Sequence, residues 1–236
     1  MSEGLLVVAA HVGDFVWRAG GAVALHAGYG HDVSILCLSF GENGESNAAW
    51  SAPEATLDGV KAVRRREAEQ AAEILGASTI TFLDAGDYPM TPSASIVDAI
   101  AKEMRRVRPA LVLTHPERDP SNLDHCKTFS MVLEARMKAI APGHGSDFIP
   151  PPQVMSFEPH QPELCDFKPT VLLDISSVWD KKRAAMEAVS TQKNLWAYYT
   201  RVAQQRGAQA GRRAKSAVEY AEAFFPIFPQ TRTTLI

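Results

Sequence analysis

The chain has 236 residues, 46% of them hydrophobic and 22% charged, with a formal net charge of -3. That balance predicts one α/β domain over residues 1–236 with a substantial core, and it lacks the basic footprint that nucleic-acid binding needs. No apolar run has the length of a bilayer span, the N-terminus MSEGLLVVAAH lacks a basic segment before a cleavage site, and Cys37, Cys126 and Cys165 lie too far apart for a disulfide framework or a zinc knuckle, so the expectation is a cytoplasmic protein with reduced thiols and no membrane partner.

Taken in chain order, LLVVAA reads as a buried strand, followed by a helix over roughly Phe15 to Ala27. DVSILCLSF reads as the second strand, and the polar stretch GENGESNAAWSAPEATLDG leaves its carboxyl end. A loop that long in a compact domain is usually functional or disordered, and its position favours function. Next come a helix from Leu57 to Leu75, the strand TITFLDA, a helix from Ala94 to Val107, the strand ALVLTH and a helix from Leu123 to Ala139. APGHGSDFIPPPQ reads as a surface excursion or subunit contact; QVMSFE and TVLLDIS are further strands, and a helical region follows Ser177. The aromatic end of RVAQQRGAQAGRRAKSAVEYAEAFFPIFPQT would be an aggregation hazard if bare, so it is expected to pack on its own domain or on another subunit of a homo-oligomer. Near-continuous apolar strands alternating with helices predict a Rossmann-like, mainly parallel sheet covered on both faces, with ligands beyond the strand carboxyl ends.

Two strand ends carry the candidate chemistry. His11 and Asp14 follow the first strand, and THPERDPSNLDH, Thr114 to His125, follows the fourth. An early strand reversal would make these strands neighbours, so their loops would converge at a topological switch point. His11, Asp14 and His125 then offer two imidazoles and a carboxylate, a common zinc set that leaves open positions. The structural alternatives are Asp14 as a helix N-cap and His115 as a polar strand terminus.

Together these residues resemble the PIG-L/LmbE-like zinc deacetylase superfamily. AAHVGDFVWRAGG looks like its first motif, Ala-His-Pro-Asp-Asp-Glu followed by Gly-Gly, and THPERDPSNLDH looks like its second. SFGENGES resembles the Gly-Glu-x-Gly loop between them, and RRREAEQAAEILGA the Arg-x-x-Glu helix. The resemblance implies Zn2+ bound by His11, Asp14 and His125. It also exposes departures: the deacetylase general base falls on Gly13, the following acid on Phe15, and the histidine after the second motif's aspartate on Ser121, with one residue inserted before Asp124. DFVWRAGGAVAL, GENGES and SFEPHQPE resemble a divergent branch, the 4-oxalomesaconate (4-carboxy-2-hydroxymuconate) hydratases of gallate and protocatechuate 4,5-cleavage. That branch implies a hydro-lyase acting on an oxo-tricarboxylate; the alternatives are an N-deacetylase of an acyl sugar and a non-catalytic metal-binding protein.

Hydration of a double bond conjugated to a 2-oxo acid builds negative charge on the 2-oxygen, which a zinc ion can stabilise. An acid and a base are needed besides, and Glu45 and His160 are residue types suited to that work near neutral pH. Glu42 is the nearest competitor to Glu45. Asp124, beside His125, is expected to orient a ligand imidazole. Three substrate carboxylates call for cations and donors, for which Arg64, Arg18, Arg118 and Asn122 are the candidates. The alternative for Arg64 is a solvated helix face, because RRR is common there.

Overall fold

In the computed structural model, which describes residues 4–230, strand β1 (Gly4–Ala9) is buried along its whole length. Its side chains alternate between two cores. Leu5, Val7 and Ala9 face one with helices α1 (Asp14–Gly28) and α3 (Leu57–Leu75), whereas Leu6 and Val8 face the other with α4 (Ala94–Val107) and α5 (Leu123–Ile140). Coverage of both faces explains why this strand is apolar at every position rather than at every second one.

The remaining strands are β2 (Val33–Cys37), β3 (Thr79–Phe82), β4 (Pro109–Thr114), β5 (Gln153–Phe157), β6 (Val171–Asp174) and β7 (Ala221–Pro226). They form one seven-stranded sheet in the order β3-β2-β1-β4-β5-β7-β6. Strands β1 to β5 pair in parallel, and β7 pairs antiparallel with both β5 and β6. The chain reverses its direction of travel across the sheet between β1 and β4, whose carboxyl ends deliver His11 and the Thr114–His125 loop to one crevice, as expected of a topological switch point. The aromatic C-terminal stretch packs on its own sheet, as β7 between β5 and β6.

Helices α6 (Trp179–Ala188) and α7 (Asn194–Gly211) complete the face that carries α1, and a short helix α2 (Asn47–Trp50) lies in the loop after β2. Helix starts follow local chemistry. The Thr56 hydroxyl accepts from Gly59 N to open α3, and the Asn122 side chain accepts from Asp124 N to open α5. Within α1, the backbone N–H groups of Gly21 and Ala22 donate to the Glu222 carboxylate at 2.7 and 2.9 Å. Lys182 Nζ donates to Glu222 at 2.6 Å and to Trp17 O at 3.0 Å, so a buried ion pair is stitched into the helix backbone. A Cβ at Gly21 would meet Ile175 Cγ2 at 2.5 Å, and glycine is what lets α1 lie this close.

Candidate active site

Strand β1 ends at a turn in which Asp14 is the first residue of α1 and folds back, its Oδ2 accepting from His11 N at 2.9 Å. Asp14 is thus no N-cap; its carboxylate faces the two strand-end loops. Its Oδ2 lies 3.3 Å from His11 Nδ1, and its Oδ1 3.5 Å from His125 Nε2. Glu45, from the loop after β2, brings Oε1 to 3.2 Å from His11 Nδ1. One donor atom from each of His11, Asp14, Glu45 and His125 fits within 4.8 Å of all the others. The residues expected to bind metal therefore come together, with Glu45 beside them.

The cluster fits a divalent cation on its own chemistry. Both ring nitrogens of His11 and Nε2 of His125 are buried without a hydrogen-bond partner, and buried polar atoms normally have one. His125 Nδ1 is held at 2.8 Å by Asp119 Oδ2, which fixes the ring and leaves Nε2 aimed at the cluster. Burial works against a charge on His11, yet the carboxylates of Glu45, Asp124 and Asp14 outweigh it and raise its pKa well above the ordinary value. The negative potential responsible is the one that attracts a cation.

Two histidines of the second motif divide the labour. His115 Nε2 accepts from Ala10 N at 2.9 Å, and its ring stacks on His125 with centroids 4.0 Å apart. Burial and the neighbouring His125 push its pKa down to about 3, so it remains a neutral wedge behind the cluster. The carboxylate that orients His125 is Asp119, whereas Asp124 stands beside the other expected ligand imidazole, its Oδ2 3.7 Å from His11 Nε2. Asp124 also accepts from the backbone N–H groups of Tyr88 and Met90 at 2.8 and 2.9 Å, which brings the segment at 88–90 against the cluster.

Beside the cluster lies a cavity of about 300 Å³ lined by Asp14, Arg18, Glu45, Asn122, His125 and His160, among others. Arg18, one turn along α1, places Nε 3.3 Å from Asp14 Oδ1 and Nη1 3.4 Å from Glu158 O. His160 faces the cleft from beyond β5, its ring packed on Tyr198 and its Nδ1 3.4 Å from the Tyr199 hydroxyl. Glu42 is buried outside the lining, accepting from its own loop at Phe40 N, which removes it as a rival to Glu45.

Two expected substrate contacts lie elsewhere. Arg118 lines a separate cleft with Phe129, Cys165 and Lys168, because the β4 loop turns it away from the cluster. Arg64 is fully buried, neither on a solvated face nor in the cavity lining. Its guanidinium donates to Phe40 O, Glu67 Oε2, Thr191 Oγ1 and Gln192 Oε1 at 3.1, 3.1, 2.8 and 3.0 Å. It holds a wall of the cavity, since Thr191 and Gln192 line it. That wall closes over Gly13: a Cβ there would meet Gln192 Oε1 at 2.6 Å and Trp17 Nε1 at 2.7 Å. Trp17 and Gln192 thus fill the space a side chain at position 13 would need. Trp17 was within reach of sequence reasoning as the residue three past Asp14 on the same helix; Gln192 and Tyr88 carried no local signal.

Comparison with known proteins places this geometry in context. Residues 6–136 match the PIG-L family, described as GlcNAc-PI de-N-acetylase. The chain is 49% identical over 236 aligned residues to the 4-oxalmesaconate hydratase of Pseudomonas putida, covering 98% of this chain and 91% of that protein. It superposes on the crystal structure of GalB, the 4-carboxy-2-hydroxymuconate hydratase of the same organism, with a TM-score of 0.96 and 48% identity over 99% of this chain and 100% of that one. A diacetylchitobiose deacetylase of Thermococcus kodakarensis is 27% identical, over 94% of this chain and 84% of that protein.

Proposed function

The chain belongs to the PIG-L family, and from that membership and the make-up of its cavity we propose that it is a zinc-dependent hydro-lyase. It adds water to the double bond of 4-oxalomesaconate (4-carboxy-2-hydroxymuconate) to give 4-carboxy-4-hydroxy-2-oxoadipate, in the breakdown of gallate and protocatechuate. Near-full-length identity of 49% to a hydratase supports the assignment. The observation that carries it is position 13, where the resemblance puts the deacetylase base. Glycine stands there, and Trp17 and Gln192 occupy the space a carboxylate would require. Amide hydrolysis by the family's usual route has no base, while Glu45 and His160 line the same cavity as the metal cluster.

His11, Asp14 and His125 would hold the zinc ion. When bound, it supplies a Lewis acid that stabilises negative charge on the substrate's 2-oxygen. The protein's own groups handle the protons. Water gives up one proton as its oxygen joins carbon, and the adjacent carbon receives one, so net proton uptake is zero. Glu45 and His160 act as the acid/base pair for these transfers, a role of the kind worth roughly 10²–10⁴-fold in rate. Burial works against a charge on Glu45, yet the adjacent His11 holds its pKa below the ordinary value, and a zinc ion on His11 would supply the same positive field to keep the carboxylate ionised. Arg18, in the cavity lining, binds substrate carboxylates, whereas Asn122 lines the same cavity with its side chain already bonded to Tyr88, Glu45 and the start of α5. Arg64 supports the wall from behind.

The test is turnover of the conjugated dienol substrate by zinc-loaded protein, followed as loss of its absorbance, with acetate release from N-acetylglucosamine derivatives measured alongside. Hydration that stops on chelation and returns with zinc, without acetate release, is the expected result. Undiminished hydration after complete metal removal sinks the proposal.

A further inference from the structure

Asn122 fixes the direction of one hydroxyl in the cavity. Its Oδ1 accepts from Asp124 N at 3.1 Å as the cap of α5, so Nδ2 faces the cleft. An amide nitrogen only donates. Nδ2 gives one hydrogen bond to the Tyr88 hydroxyl at 2.7 Å and a longer one to Glu45 Oε1 at 3.4 Å. The Tyr88 oxygen is therefore the acceptor, and its own proton has to go to another group. Among the described residues, no protein atom accepts it, and Tyr88 lines the cavity.

The ring that carries this hydroxyl is held on three sides. The Tyr88 backbone N–H is fixed by Asp124 at 2.8 Å, and its ring lies 5.6 Å from that of His11, centroid to centroid. Gly44 leaves the needed space, because a Cβ there would collide with the Tyr88 ring. A half-exposed phenol whose oxygen already accepts from Asn122 and whose proton has no protein acceptor among the described residues, beside a cluster of carboxylates that cannot donate, is suited to an anionic oxygen of the ligand.

We propose that Tyr88 is a substrate-binding residue whose hydroxyl donates to a carboxylate of the substrate. The assignment rests on the hydratase reading, and one experiment separates the two. Zinc-loaded wild type and Tyr88→Phe are titrated calorimetrically with tricarballylate, a saturated tricarboxylate that cannot be hydrated, and their kinetics are measured on the dienol substrate. Phenylalanine keeps the ring and removes only the donor. The tricarballylate Kd and the KM are expected to rise together by about tenfold, with kcat within about twofold and zinc content unchanged. Unchanged Kd and KM overturn the Tyr88 assignment and leave the hydratase reading intact; so does a fall in kcat at constant KM. Wild type that neither binds tricarballylate nor hydrates the dienol overturns both. A second variant guards against misfolding: Asn122→Asp turns the Tyr88 partner into an acceptor and should weaken tricarballylate binding more in wild type than in Tyr88→Phe. Equal effects in the two backgrounds count against the proposal.

Discussion

Replacing Arg64 with methionine removes the four hydrogen bonds of a fully buried guanidinium while keeping much of its length. Phe40 O and Gln192 Oε1 each lose a donor, and the buried Glu67 loses its cationic partner. Glu67 retains three neutral donors, Ser190 Oγ, Thr191 N and Thr191 Oγ1, at 2.8, 2.8 and 2.7 Å. These place the loss near the lower end of the range for breaking a buried ion pair, about 3 kcal/mol. For a chain of this size that corresponds to a fall in Tm of roughly 6–12 °C. Urea unfolding of the zinc-loaded protein measures it as a lower midpoint at unchanged slope. Arg64→Lys should lie between, because an ammonium can satisfy Glu67 but cannot span Phe40, Thr191 and Gln192 together. A midpoint equal to wild type together with a raised KM would refute this reasoning and return Arg64 to the substrate.

Glu45→Gln and His160→Gln should each lower kcat by about 10²–10⁴-fold, with the zinc content of His160→Gln equal to wild type by metal analysis. Burial, and then the charge of Arg18, hold the His160 pKa below its ordinary value. If the neutral imidazole is the active form, activity falls only as pH drops through that lowered value, so the acid limb of kcat/KM should lie below about 6.5; a limb at or above it contradicts this role. Gly13→Asp should gain no acetate release from N-acetylated sugars and should lose hydratase activity as Trp17 and Gln192 are displaced, whereas restored deacetylation would show that the wall yields.

The centre of the parallel sheet was legible because β1 and β2 are buried on both sides and β1 is written as an unbroken apolar run, LLVVAA. The bounds of α3 and α4 were equally plain, and the structure adds Thr56 and Ser93 as the side chains that cap their first turns. Strand β7, AEAFFP, was not, since it contains no β-branched residue, ends in proline and follows a polar helical segment. At the site, His11, Asp14 and His125 were accessible because each stands at the end of a readable strand or the start of a readable helix. The part played by Arg64 was not accessible. A helix pattern specifies a face, but the acceptors that bury this guanidinium come from Phe40, Thr191 and Gln192, the last two lying 127 and 128 residues away. Asp119 was hidden for a similar reason: sequence adjacency favoured Asp124, whereas the loop's path brings Asp119 to the His125 ring.

The Lys182–Glu222 pair ties α1 to β7, elements separated by most of the chain. During synthesis, His11, Asp14 and Arg18 emerge long before Glu222, so the N–H groups of Gly21 and Ala22 have no Glu222 to meet until β7 is made. Lys182 emerges earlier than Glu222 as well, and burying an ammonium before its counter-ion exists is costly. The helix that presents Asp14 is therefore locked only after β7 has been made. A nascent chain can collapse its β1 to β4 core while the cleft beside His11 and Asp14 still lacks the Glu222 anchor of its helix, which ties completion of that cleft to the arrival of Glu222.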